Sequence, residues 1–236
     1  MKRVVCADGL RLEYILIQTS RSSVLLQALP GGQTRVYAPA RMRLRDIDAM
    51  VRSRIAELQA MHEQLEHELE KNRLDHPVSP GSRICVEGKG LSLVLEEGER
   101  ISLRIGPDCC TLRLKHPGDE GAVRQALKQA LSRLALQRIR THLESYAPKL
   151  DVSYGRVAIR DQKSRWGSCS AKHNLNFNWK LIMAPPQALE YVVIHELCHL
   201  IEFNHSPRFW RLVETHMPEY ECWKKWLKAH GSELGV

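Results

Sequence analysis

The stretch Val192-Val193-Ile194-His195-Glu196-Leu197-Cys198-His199-Leu200 constrains this chain most, because it sets two imidazoles and a carboxylate inside an apolar run, 189–203. His195 and His199 are four residues apart, about one helical turn, so both project from one face and can grip a single metal ion. Glu196 falls about a hundred degrees round that helix, near enough to reach a water at the ion without competing as a ligand. Burying a His-Glu-His face with nothing to engage it would be costly, which favours a metal site over a pair of ordinary core histidines.

A catalytic zinc commonly takes three protein ligands and keeps one position for water. Past His199 the candidates are Glu202, His205, Glu214 and His216. Glu202 would close a tetrahedral site poorly from the same straight helix. His205 is better placed: Asn204 tolerates the left-handed conformation that ends a helix, and Ser206-Pro207 reads as the N-cap and first position of the next. The expected metal triad is therefore His195, His199 and His205, with Glu196 as general base. Glu214 and His216 are the fallback ligands, and Met217 is the candidate floor beneath the metal.

The chain of 236 residues is long enough to bury a core as one compact domain or two small ones. No stretch approaches the roughly 20 apolar residues of a membrane span, and no signal-type apolar core follows Met1-Lys2-Arg3, so a cytoplasmic location is expected. Seven cysteines without a CxxC pair indicate neither a disulfide framework nor a thiolate zinc site. Cys109-Cys110 read as strand residues and Cys198 as a small core residue. Net charge is +8. Between positions 156 and 180, Arg156, Arg160, Lys163, Arg165, Lys172 and Lys180 face one acid, Asp161. Such a segment is either a solvated edge or an anion-facing rim for a triphosphate, a nucleic-acid backbone or an acidic peptide.

The pattern implies an α+β protein with a strand-rich part at 1–116 and a helical, metal-bearing part at 117–236. Apolar runs at 12–17 and 24–29 read as strands broken by Pro30-Gly31-Gly32. Ile47, Val51, Leu58, Met61, Leu65 and Leu69 recur at helical spacing, giving one amphipathic helix over 46–71, with His62 and His67 on its surface. After a connector at 72–81, short runs at 84–86, 91–95, 101–105 and 111–114 form a meander, and Val123, Leu127, Leu131, Leu134 and Leu143 mark a helix over 121–145. No internal repeat is visible.

The last part opens with a strand near 157–159 and a loop over 164–170. Leu175, Phe177 and Trp179 then alternate with Asn176, Asn178 and Lys180, giving an apolar and an amide-rich face. That strand is either ordinary sheet or an edge to which an extended peptide pairs. Arg165 could clamp a substrate carbonyl or phosphate, or pin its loop through an acid. Trp166 and Trp179 could stack on a base, though core packing is commoner. Phe209, Trp210, Val213, Trp223, Trp226 and Leu227 are expected to pack two short helices beneath the site.

Ser164-Arg165-Trp166-Gly167-Ser168-Cys169-Ser170, Asn176-Phe177-Asn178-Trp179, Ala184-Pro185-Pro186, residues 191–200 and Asn204-His205-Ser206-Pro207-Arg208-Phe209-Trp210 together resemble the YgjP-like family of HExxH metallohydrolases. The resemblance covers 156–227, and continues loosely through Ser20-Arg21-Ser22-Ser23 and Val36-Tyr37-Ala38-Pro39. It implies a zincin-like, zinc-dependent peptidase domain, related in its helix to SprT-like and WLM proteases. Members have also been assigned a UTP pyrophosphatase activity.

Three functions thus stay open. A peptidase needs an extended cleft, an edge strand and an oxyanion stabiliser such as Arg165 or His173, with Asn176 and Asn178 available to the substrate. A pyrophosphatase would use Lys163, Arg165 and Lys172 as a phosphate clamp, helped by Mg²⁺. A nucleic-acid-binding module would carry a structural zinc, which normally has four ligands.

Overall fold

The computed structural model describes residues 1–7, 10–29, 31–75, 78–162 and 165–236, and the side chains of all of these but 68–75. Lys163 and Ser164 of the expected basic loop, Pro30 and Pro77 of the connectors, and the side chain of Leu69 lie outside that set. The fold is α+β and divides into two compact units, Met1–Asp75 and His76–Val236. The boundary read from sequence, after position 116, falls instead inside the second unit. There the helix that follows shares one buried core with the preceding strands.

In the first unit, β1 (Lys2–Ala7), β2 (Leu10–Thr19), β3 (Leu25–Leu29) and β4 (Gln33–Pro39) form a sheet in the order β1-β2-β4-β3. β2 and β4 run parallel, and β1 and β3 flank them antiparallel. The apolar face of the sheet packs on α1 (Leu44–Ser53) and the start of α2 (Ile55–Asp75), with Ile47, Val51, Ile55 and Leu58 buried against Val5, Tyr14 and Val36. The single helix expected over 46–71 is thus two. Arg54, with φ −118° and ψ 19°, leaves the helical region, and its amide turns back to the Val51 carbonyl. Asp48 ties α1 to the sheet by accepting from Arg3 Nε at 2.8 Å and from Tyr14 Oη at 2.5 Å. His62 is not a surface residue: it is half-buried, with Nε2 2.8 Å from the buried Thr34 hydroxyl.

The second unit begins with β5 (Arg83–Val86), β6 (Lys89–Glu97), β7 (Ser102–Ile105) and β8 (Cys109–Leu114), ordered β5-β6-β8-β7. β6 and β8 are parallel and both outer pairs antiparallel, so this is no meander. β8 takes the inner position because Cys110, Leu112 and Leu114 are buried, whereas β7 is mostly exposed and polar enough for an edge. The strand order repeats that of the first unit, an internal structural repeat where the sequence shows none.

One uninterrupted helix, α3 (Glu120–Tyr146), covers this sheet with a stripe from Val123 to Leu143 and is capped by the Asp119 side chain on the amides of Gly121 and Ala122. Beyond it lies a three-stranded sheet, β10 (Gly167–Cys169), β11 (Leu175–Asn178) and β9 (Val157–Arg160), with β11 in the centre. A 3₁₀ turn, Trp179–Met183, leads into α4 (Pro186–Cys198), followed by α5 (Pro207–His216) and α6 (Tyr220–His230).

Two contacts set α4 in place. The β5–β6 hairpin turn donates Glu87 N to Ile182 O and Gly88 N to Met183 O, fixing the 3₁₀ turn just before α4. Gly88, with φ +76°, lies so close to Pro185 that a Cβ would come within 3.1 Å of the proline Cα. One turn further on, Tyr146 Oη of α3 donates to Glu190 Oε1 of α4 at 2.5 Å. All seven cysteines are free. Among the described residues no helix is long and apolar enough to cross a membrane.

Candidate active site

α4 starts on Pro185-Pro186, which fix the chain direction at its first turn, and buries nearly its whole circumference from Ala188 to Cys198. His195 and His199 emerge on the face that meets α5. The helix ends at Cys198, not at Asn204, and Asn204 is not in the left-handed region. Residues 199–206 instead unwind through short-range amide bonds, Ile201 N and Glu202 N both donating to Cys198 O, before Ser206 caps α5 on Phe209 N. This loop carries His205 back over the helix face.

The ligand nitrogens of His195, His199 and His205 lie within 4.8 Å of one another, and the Nε2 atoms of His195 and His205 are 3.1 Å apart. Each α4 imidazole has its other nitrogen engaged. His199 Nδ1 donates to the carbonyl of Glu202 at 3.1 Å, and His195 Nδ1 stands 3.5 Å from Tyr191 Oη. Such outer bonds fix the tautomer and ring orientation of a metal ligand. Glu202 thus contributes a main-chain oxygen and no carboxylate, and Glu214 and His216 are not in the cluster. Burial, and then His199 and His205, depress the His195 pKa to about 3, so the ring stays neutral with its lone pair free.

Behind the imidazoles sits Phe209, fully buried, with centroid distances of 4.8, 4.5 and 4.9 Å to His195, His199 and His205. It forms an apolar backing to the three rings, and Met217, the expected floor, is buried at the end of α5. Trp210 stacks on His205 at 5.6 Å and on Tyr220 at 5.4 Å, extending the aromatic wall.

Glu196 is 4 % exposed, and burial pushes its carboxyl up to about 8. Oε2 is buried without a hydrogen-bond partner. Its place depends on Gly167 of β10: a Cβ there would stand 2.4 Å from Glu196 Oε1. Beside Glu196 and His195 opens a cavity of about 310 Å³, lined also by Arg165, Trp166, Tyr191, Lys224 and Lys228.

Lys163 lies outside the described residues; of the expected substrate residues that the structure describes, Arg165 alone lines this cavity. It forms no ion pair among the described residues, so it does not pin its loop through an acid. Lys172 and His173 lie on the β10–β11 hairpin, where His173 adopts φ +58° as a turn residue. Asn176 bonds Ser168 Oγ and Arg160 Nε, and the buried Asn178 donates to the carbonyls of Gln162 and Arg165, so both amides are spent within the protein. Trp179 is core, with Nε1 on Asp161. Nor is β11 an edge strand; β10 is. Trp166 O and Ser170 N engage Asn178 and Asn174, and by antiparallel alternation Gly167 and Cys169 turn their amide groups to the open side.

Phe209 lies beneath the site as expected, whereas no functional role was read for Gly167, Tyr191, Lys224 and Lys228. The spacing of the two lysines on one helix face was the available signal for that pair.

Among curated proteins, none matches the sequence. The crystal structure of the metallopeptidase zymogen of Methanocaldococcus jannaschii jannalysin is 22% identical over 40% of this chain and 95% of that one, with a TM-score of 0.34. The YgjP-like, metallopeptidase domain family matches residues 22–230, nearly the full length, and the chain belongs to that family.

Proposed function

We propose that the chain is a zinc-dependent metallopeptidase in which His195, His199 and His205 hold the ion and Glu196 is the general base. The observation that carries this reading is three converging imidazole nitrogens beside one buried, unpartnered carboxylate oxygen. Family membership implies a divalent metal, and an all-nitrogen donor set suits zinc better than magnesium or calcium, which prefer oxygen. The residues fit such an ion, since His195 is held neutral and the orphaned Glu196 Oε2 needs a proton or a polar partner. Among the described residues the cluster has no fourth His, Cys, Asp or Glu, which favours an open catalytic site over a closed structural one.

A bound zinc supplies Lewis acidity, polarising a carbonyl and bringing the pKa of water down to about 7. Glu196 Oε2 accepts the proton of the attacking water and delivers it to the departing amine nitrogen. A nearby cation draws the Glu196 pKa back down, so the carboxylate is available as a base. Gly167 and Cys169 offer an extended substrate main-chain groups to pair with, and Arg165 is the donor for a carbonyl oxygen. A nucleotide clamp of Lys163, Arg165 and Lys172 is less favoured, because Lys172 does not line the cavity.

The test is hydrolysis of denatured proteins beside a nucleoside triphosphate panel, with zinc-loaded wild type and Glu196→Ala. Protein cleavage lost in a variant that keeps its zinc is the expected result. Cleavage retained in the variant would remove the general-base role, and diphosphate release lost in the variant would replace the peptidase by a pyrophosphatase.

A further inference from the structure

Among the described residues, Glu196 is the only acid lining the cavity beside His195; the other charged groups there, besides the histidine, are Arg165, Lys224 and Lys228. None of these three cations forms an ion pair among the described residues, although the adjacent Lys225 is bound to Glu221. Lys224 and Lys228 sit one turn apart on α6, so both leave the same face, a like-charge pairing that weakens a helix. Lys224 is also held in position: its Nζ stands 3.8 Å from the centroid of Trp210, the ring that stacks on His205. A second cavity of about 380 Å³ shares Arg165, Trp166 and Leu227 with the first and adds the half-buried Lys180, whose charge also feels Asp161, although no acid among the described residues lines it.

Cations left unpaired along a partly apolar cleft focus a positive potential on whatever enters it. They attract carboxylates and repel basic segments, which is how rim charges select among partners. Their spread over two adjoining cavities suits successive side chains of an extended polypeptide better than one compact polyanion. Resting on the peptidase reading, we infer that the cleft selects polypeptide segments with acidic side chains flanking the bond that is cut. Lys224 and Lys228 meet the carboxylate nearest the metal site, and Arg165 and Lys180 the one beyond.

The experiment uses the full-length, zinc-loaded protein and matched unstructured peptides that carry Glu, Gln or Lys around a common scissile position. Wild type is expected to prefer the Glu peptide over its Gln counterpart by about tenfold in kcat/KM at low salt, with the ratio shrinking as ionic strength rises. Lys224→Glu/Lys228→Glu should turn the preference toward the Lys peptide, and Lys224→Gln/Lys228→Gln should flatten it. Equal rates on the three peptides, or a wild-type preference for Lys, overturn the inference.

Binding of the same peptides to zinc-loaded Glu196→Ala, read by fluorescence anisotropy, tests the cleft independently of turnover. Tighter binding of the Glu peptide with no cleavage by wild type would leave the acidic selectivity standing and remove the peptidase reading. Equal affinities would remove the selectivity whether or not wild type cleaves.

Discussion

The sheets β1–β4 and β5–β8 share a strand order and the same succession of antiparallel, parallel and antiparallel pairs, but their helices differ. In the first unit the chain breaks at Arg54, and α1 spans ten residues, about 15 Å, roughly the width of the sheet it covers. That core closes on itself. In the second unit α3 runs 27 residues, about 40 Å, twice what four strands need. Its surplus turns carry Ile139, Leu143 and Tyr146 to α4, so sheet, helix and metal face share one core. A sheet module becomes a scaffold for chemistry when its covering helix carries apolar residues beyond the sheet into the core that holds the metal face.

The sharpest way to break this comparison is to cut the same kind of residue from each core. Ile139→Ala should remove about 2–5 kcal/mol from the second unit, with zinc content falling in parallel. Ile47→Ala should remove a similar amount from the first unit, and hydrogen exchange with metal analysis would show zinc loading following the second unit alone; loss of zinc in Ile47→Ala would undo the contrast. Gly167→Ala comes next. The added methyl must displace Glu196, so activity should drop on the order of 10²-fold while zinc binding persists, as activity and metal assays would show.

The units should also differ in their response to pH. A hydrogen bond from Arg3 holds the Asp48 carboxyl below its ordinary range. The folded-state value lies under the unfolded one, so this stabilisation is present above about pH 4 and is lost as pH falls through the lowered value. Asp48→Asn should cost the first unit about 1–3 kcal/mol near neutrality and blunt its acid transition in a pH-dependent melt. In the metal-free chain Glu196 runs the other way. Its folded-state value is raised, so its contribution is full below about pH 4 and is lost as pH rises through about 8. A metal-free second unit whose stability does not fall between about pH 4 and about pH 8 would contradict this. Thr34→Val, which strands His62 Nε2, should have the smallest effect, about 1 kcal/mol in the first unit by denaturant titration.

What the sequence made legible was local. The His195–His199 spacing, the Ser206-Pro207 cap and the stripe of α3 each follow from neighbours within a turn or two. The misses were matters of long-range pairing. Alternating apolar residues mark strands without giving their order, so neither the inner position of β8 and β11 nor the repeat of the two sheets could be read. The break at Arg54 has no glycine or proline to announce it. Asn176 and Asn178 looked available because their partners, Ser168 and the Gln162 and Arg165 carbonyls, are brought to them by the fold. Lys224 and Lys228 enter the site from α6, beyond the basic segment that drew attention.

The second core gathers Val78 near its start and Leu227, Leu234 and Val236 more than twenty residues past His205. During synthesis the first unit can therefore fold as soon as its own residues are made, since none of its core comes from later in the chain. The metal face has no such head start. A nascent chain that already carries all three imidazoles still lacks the last pieces of the core that aims them, so the hydrolytic site is completed only once those later residues are made.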